Sequence, residues 1–153
     1  MATIDLPNNI LEALSTVLQQ LQQSLPEIKQ APDFSAIAFK WENGELKPIH
    51  QLKRIELNDL KGIERQKEKV LQNTEQFLNG LPANDVLLTG SRGTGKSSIV
   101  RALLTEYADQ GLRLIEIERD DLSELPEIQK LIAERPEKFI VYCDDLAFNA
   151  EDE

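Results

Sequence analysis

The chain has one cysteine, Cys143, and one histidine, His50, among 153 residues. A single cysteine excludes an internal disulfide and makes a reducing cytoplasm the expected location. One histidine and one cysteine so far apart argue against a zinc centre or a Cys–His nucleophile. No apolar run approaches the roughly 20 residues that a membrane-spanning helix needs. The start, Met1-Ala2-Thr3-Ile4-Asp5-Leu6-Pro7, has neither a basic n-region nor an apolar h-region, so no secretory signal is read. Positive charge is scarce too. The net charge is −10, spread as −3 over residues 1–50, +1 over 51–82 and −8 over 83–153. That balance argues against a general affinity for nucleic acid, which needs clustered Lys and Arg. The one basic stretch, Lys61 to Lys69, is interrupted by Glu64 and Glu68 and reads as a solvated helix face.

What remains suits one globular domain with a small appendage, at 41% hydrophobic and 29% charged residues. Within it, Gly90-Ser91-Arg92-Gly93-Thr94-Gly95-Lys96-Ser97 matches the P-loop pattern, Gly-x-x-x-x-Gly-Lys-Ser/Thr (Walker A), without deviation. Glycines let the backbone turn tightly and aim successive N–H groups at a phosphate. Lys96 is then expected to reach the terminal phosphates, and Ser97 to offer its hydroxyl to Mg²⁺. Asp85-Val86-Leu87-Leu88-Thr89 reads as a short buried strand entering the loop, and Ser97 to Gln110 as a helix leaving it. An ordinary glycine-rich turn is the bland alternative. A nucleoside triphosphate is the expected ligand.

Residues 1–50 read as an amino-terminal module of one helix and one hairpin. Ile10, Leu11, Leu14, Val17, Leu18, Leu21, Leu25 and Ile28 form a helical stripe opposite a glutamine-rich face, and Pro26 should end or kink the helix near Ser24. Such a helix packs on its own domain, docks a protein partner, or pairs with a copy of itself. Residues 34–49 then change to a period of two, with Ile37, Phe39 and Trp41 alternating and Asn43-Gly44 as a type I′ turn. A two-residue loop sets Trp41 opposite Leu46 and Glu42 opposite Glu45; because that acidic pair is unfavourable, a longer loop is the alternative. A lone hairpin is unstable in water, so it is expected to lie against the amino-terminal helix.

Residues 51–82 read as a linker: a turn over Leu57-Asn58-Asp59-Leu60-Lys61-Gly62-Ile63, then a helix from about Glu64 to Leu78, capped by Asn79-Gly80. Residues 83–153 form the nucleotide-binding core. After the P-loop helix, Gly111 caps it and Leu112 to Ile117 is a strand; Pro126 opens a further helix, and Phe139-Ile140-Val141-Tyr142-Cys143 is a buried strand. The βαβαβ order predicts an α/β fold with a parallel sheet and right-handed crossovers. Asp144-Asp145 directly follows the last apolar run, in the manner of a Walker B motif. A carboxylate at the end of a buried strand is held where it can bind Mg²⁺, so Asp144 is the expected metal-side acid.

Taken together, NDLKG (Asn58–Gly62), GSRGTGKSS (Gly90–Ser98) and CDDLAF (Cys143–Phe148) resemble the AAA+ superfamily. Within it, the chain is similar to a bacterial family of predicted ATPases labelled a domain of unknown function. The resemblance runs from about Leu57 to Phe148. It implies that Leu60, Lys61, Gly62 and Ile63 lie beside an adenine base, that Gly93 to Ser98 wrap the phosphates, and that the nucleotide is ATP. It also sets Asp145 where a carboxylate orients the attacking water. AAA+ modules continue with a strand bearing a γ-phosphate sensor, a fifth strand, an arginine finger and a lid; this sequence stops at Glu153. The expected fold is therefore an incomplete AAA+ core, lacking the strand between the P-loop strand and the Walker B strand. The gap implies a fragment, direct pairing of the two strands, or a strand from a partner. The motifs are those of an ATPase, but turnover by this chain alone is not implied.

The leading function is ATP binding that, in a complete module, drives remodelling of a partner. The alternative is a nucleotide-responsive interaction module without turnover. A small-molecule kinase would need an acceptor pocket and an Arg-rich lid, which the acidic tail does not offer. A remnant without a ligand fits poorly with the intact Lys96-Ser97 pair.

Overall fold

The computed structural model describes residues 8–24, 32–91 and 93–144 of the chain. It divides into two units, Met1–Ala31 and Pro32–Glu153. In the first, helix α1 spans Asn8–Ser24; Pro26, expected to end or kink it, lies outside the described residues. Every side chain described in α1, from Ile10 to Leu21, is exposed, the apolar stripe included.

The second unit is built on a four-stranded sheet. Strands β1 (Ala38–Glu42) and β2 (Glu45–Pro48) form the hairpin, followed by helices α2 (Glu64–Leu78) and α3 (Lys96–Tyr107). Strand β3 (Leu112–Ile117), helix α4 (Leu125–Ile132) and strand β4 (Lys138–Cys143) complete it. The order across the sheet is β2-β1-β3-β4. Asn43 (φ 53°) and Gly44 (φ 73°) both take left-handed backbone, as a type I′ turn requires. The register pairs Trp41 with Leu46 and Glu42 with Glu45. Lys47 bridges to Glu42 at 2.8 Å and offsets that like-charge pair.

The hairpin is part of the second unit's core sheet: the free edge of β1 pairs in parallel with β3, Ala38 opposite Leu114 and Lys40 opposite Glu116. The physical reason is the one that makes a lone hairpin unstable. Sheet edges with unmet hydrogen bonds join when their apolar faces match. Both faces of β1 are then covered. Ala38 joins Val70 of α2 and Ile99, Leu103, Leu104 and Tyr107 of α3 on one side. Phe39, Trp41 and Leu46 join Ile115, Ile117 and Ile128 of α4 on the other. The result is helix, sheet and helix in three layers, mixed α/β with a mostly parallel sheet.

One expectation is corrected here, that Asp85–Thr89 is a buried strand. Residues 83–90 form no strand, and Val86 and Leu87 are 49% and 70% exposed. Only Leu88 packs partly against the α2–α3 core. A strand exists only by pairing, and no described residue pairs with β4 on the side away from β3. The expected βαβαβ core thus contributes two strands to the sheet, with the hairpin supplying the other two. No helix among the described residues is long and apolar enough to cross a membrane.

Candidate functional site

The loop from Gly90 leads into α3 at its Lys96 end. Gly95 is the N-cap residue, left-handed at φ 87°, and so offers α3 no side-chain cap. The first helical bond runs from Ile99 N–H to the Gly95 carbonyl at 2.9 Å. The amides of Lys96, Ser97 and Ser98 therefore precede the helical ladder, where N–H donors and the positive end of the helix dipole favour an anion. Gly90 (φ 145°) likewise takes a backbone conformation that L side chains rarely adopt, and a Cβ there would stand 3.0 Å from the Thr94 hydroxyl oxygen. Thr94 donates that hydroxyl to the Ser91 carbonyl at 2.8 Å, tying the loop together. Gly93 is also left-handed. The Lys96 ammonium spans the loop, donating to the Gly90 carbonyl at 2.7 Å and the Ser91 carbonyl at 2.9 Å.

At the start of α3, the Ser97 hydroxyl donates to Oδ2 of Asp144 at 2.8 Å. The structure thus joins the serine of the loop to the first acid after β4, 47 residues away in sequence. The Tyr142 hydroxyl donates to Ser97 Oγ at 3.1 Å. Burial pushes the Tyr142 phenol above its ordinary value, so it stays protonated at neutral pH and can donate. Burial likewise raises the Cys143 thiol, which is therefore a poor nucleophile. Arg92 and Asp145 lie outside the described residues.

The turn before α2 reaches the same place. Gly62 is left-handed at φ 78°, and its N–H donates to Oε1 of Glu64 at 3.0 Å. Ile63 packs against the loop, its Cδ1 lying 3.7 Å from where a Cβ on Gly95 would stand. Ile63 thus sits at the flank of the glycine loop.

Three side chains that the motifs do not name hold this arrangement. Lys67 of α2 donates to the carbonyls of Leu57 at 2.9 Å and Leu60 at 3.3 Å, fixing the turn. Asn73 of α2 clamps Asn84, the start of the segment entering the loop, through Nδ2 to the carbonyl at 2.8 Å and Oδ1 from the N–H at 2.9 Å. Tyr142 is the third. Strand parity was its one available signal, since residues 142 and 144 share a face.

The sequence model of a family described as "Protein of unknown function (DUF815)" matches residues 34–153, from just before the hairpin to the last residue. A relative is the replication factor C large subunit of Methanococcus maripaludis, 36% identical over 52 residues. That stretch is 34% of this chain and only 11% of the relative. No solved structure matches.

Proposed function

Since the chain belongs to this family of unknown function and is related to the AAA+ P-loop ATPases, we propose that it is an ATP-binding AAA+-type module whose bound nucleotide carries Mg²⁺. The observation that carries this is the Ser97–Asp144 contact at an uncapped helix start, directly behind the glycine loop. A hydroxyl and a carboxylate oxygen are the hard donors that Mg²⁺ takes, so the residues present fit the ion. The loop amides of Gly90, Ser91, Arg92, Gly93, Thr94 and Gly95, with those of Lys96, Ser97 and Ser98, are assigned to the phosphates. Lys96 is assigned to the terminal phosphates, Ser97 and Asp144 to the metal, and Gly62 and Ile63 to the adenine. Mg²⁺, when bound, supplies positive charge against the phosphate oxygens.

Within a complete module, Lys96 would stabilise developing negative charge and Asp145 would orient the attacking water. Hydrolysis would then drive remodelling of a protein partner. The single cysteine supports a reducing, cytoplasmic setting. The test is titration of a fluorescent ATP analogue, with and without Mg²⁺, followed by phosphate release. Binding is expected, and Lys96→Ala should weaken it by about ten- to a hundredfold, the loss of a charged hydrogen-bonding group. Undiminished affinity in that variant overturns the proposal.

A second reading rests on the exposed stripe of α1, from Ile10 through Leu14 and Val17 to Leu21. There ATP would order a surface for a protein partner or a second copy, without turnover. Nucleotide binding without phosphate release, joined to a change in oligomeric state, supports it. Steady phosphate release from the isolated chain sinks it.

A further inference from the structure

We propose that Tyr142 is a positioning residue that pre-sets the Ser97–Asp144 pair for the divalent cation; this rests on the nucleotide-binding reading above. A serine hydroxyl has one proton and two lone pairs. At Ser97 the proton goes to Asp144 Oδ2 at 2.8 Å, and the Tyr142 hydroxyl takes one lone pair at 3.1 Å. One lone pair is left, and its direction is fixed by the other two bonds. Without Tyr142, the bond to Asp144 alone would hold the Ser97 hydroxyl in one of its staggered χ1 wells. With it, both anchors of the hydroxyl come from β4 and its end, so the strand dictates the rotamer of a helix residue.

The arrangement follows from strand geometry. Ile140, Tyr142 and Asp144 fall on the face of β4 turned toward α3, while Phe139 and Cys143 face α4. Tyr142 packs its ring against the α2–α3 core. Its hydroxyl emerges beside Ser97, next to the metal-side acid. A purely apolar residue here would fill the same space and leave Ser97 with a single side-chain partner. The tyrosine adds a directed donor at small extra volume.

The test uses the full chain and a fluorescent ATP analogue, titrated with Mg²⁺ and separately in chelator. For Tyr142→Phe, affinity in chelator should match the wild type. The Mg²⁺ concentration giving half of the metal-dependent gain should rise about three- to tenfold, the loss of one net hydrogen bond. Adding Ser97→Thr should restore part of it, because β-branching narrows the χ1 choice without help from Tyr142. A merely structural role would lower affinity in chelator as well and would not be rescued by the threonine. An unchanged Mg²⁺ midpoint in Tyr142→Phe overturns the proposal while leaving nucleotide binding intact. A wild type that binds no nucleotide under either condition overturns the functional reading instead.

Discussion

Asn73 and Asn84 exchange two hydrogen bonds, one in each direction, between a helix side chain and the backbone that leads into the glycine loop. The pair does for residues 83–90 what a strand partner would do in a sheet: it gives an extended, exposed segment a fixed origin. Asn73→Ala should therefore speed amide hydrogen exchange over residues 84–90 while α3 stays protected. The stability loss should be small, about 1 kcal/mol, since both bonds are exposed. A urea midpoint and an exchange map of the same variant read both effects; unchanged exchange at Asn84 removes the clamp from the account.

Lys67 ties the turn over residues 57–60 to α2 from beneath. Replacing it by Met keeps the apolar stem and removes the donor. The flank formed by Gly62 and Ile63 should then loosen, and affinity for an adenine nucleotide should fall by roughly three- to tenfold. Affinity for inorganic triphosphate, which has no base to sense that flank, should hold. Equal losses for both ligands would detach the turn from base recognition.

Trp41 is 1% exposed and donates Nε1 to Oε2 of Glu124 at 2.6 Å, linking the hairpin to the turn before α4. Glu124→Ala leaves that indole N–H without its partner. The expected cost is about 1–3 kcal/mol, with a shift of the tryptophan emission that reports loosening at the hairpin. As Trp41 is the only tryptophan, the signal is unambiguous. Wild-type stability and emission in this variant would contradict the docking of β1 into the core sheet.

Tyr107 bridges α3 to α2 by donating to Oε1 of Glu75 at 2.8 Å. Burial, and then that carboxylate, push its phenol from 10.0 up to about 12. The fold thus favours the protonated form. The associated stability is complete below about pH 10, where the unfolded chain also keeps the proton, and is lost as pH rises through about 12. Urea midpoints of the wild type should fall across that window, and Tyr107→Phe should flatten the fall. A variant with the same slope as the wild type would locate the alkaline transition elsewhere.

Local chemistry made much of this molecule legible in its sequence. Asn43-Gly44 and the alternation around it marked the hairpin, and the two-residue loop they allow has the observed register. Gly111, left-handed after the 3-10 turn Ala108–Gln110 that follows α3, and Asn79-Gly80 after α2 stand at helix ends. Ser97 and Asp144, named from separate motifs, lie 2.8 Å apart. Non-local pairing was not legible. Nothing within Ala38–Glu42 says that its second edge joins β3, because parallel partners share no turn to encode their register. Asp85–Thr89 shows the converse: its residues favour a strand, yet the state needs a neighbour. Tyr142 escaped because an apolar run hides which of its members carries a polar tip, and Lys67 and Asn73 because they bind backbone, which every sequence contains.

The parallel union of β1 with β3 also imposes a timetable. Ala38 leaves the ribosome well before Leu114, its partner 76 positions later. At about 5–20 residues per second, the nascent hairpin waits roughly 4 to 15 seconds with Phe39 and Trp41 uncovered. During translation those two aromatics are the natural foothold for a chaperone.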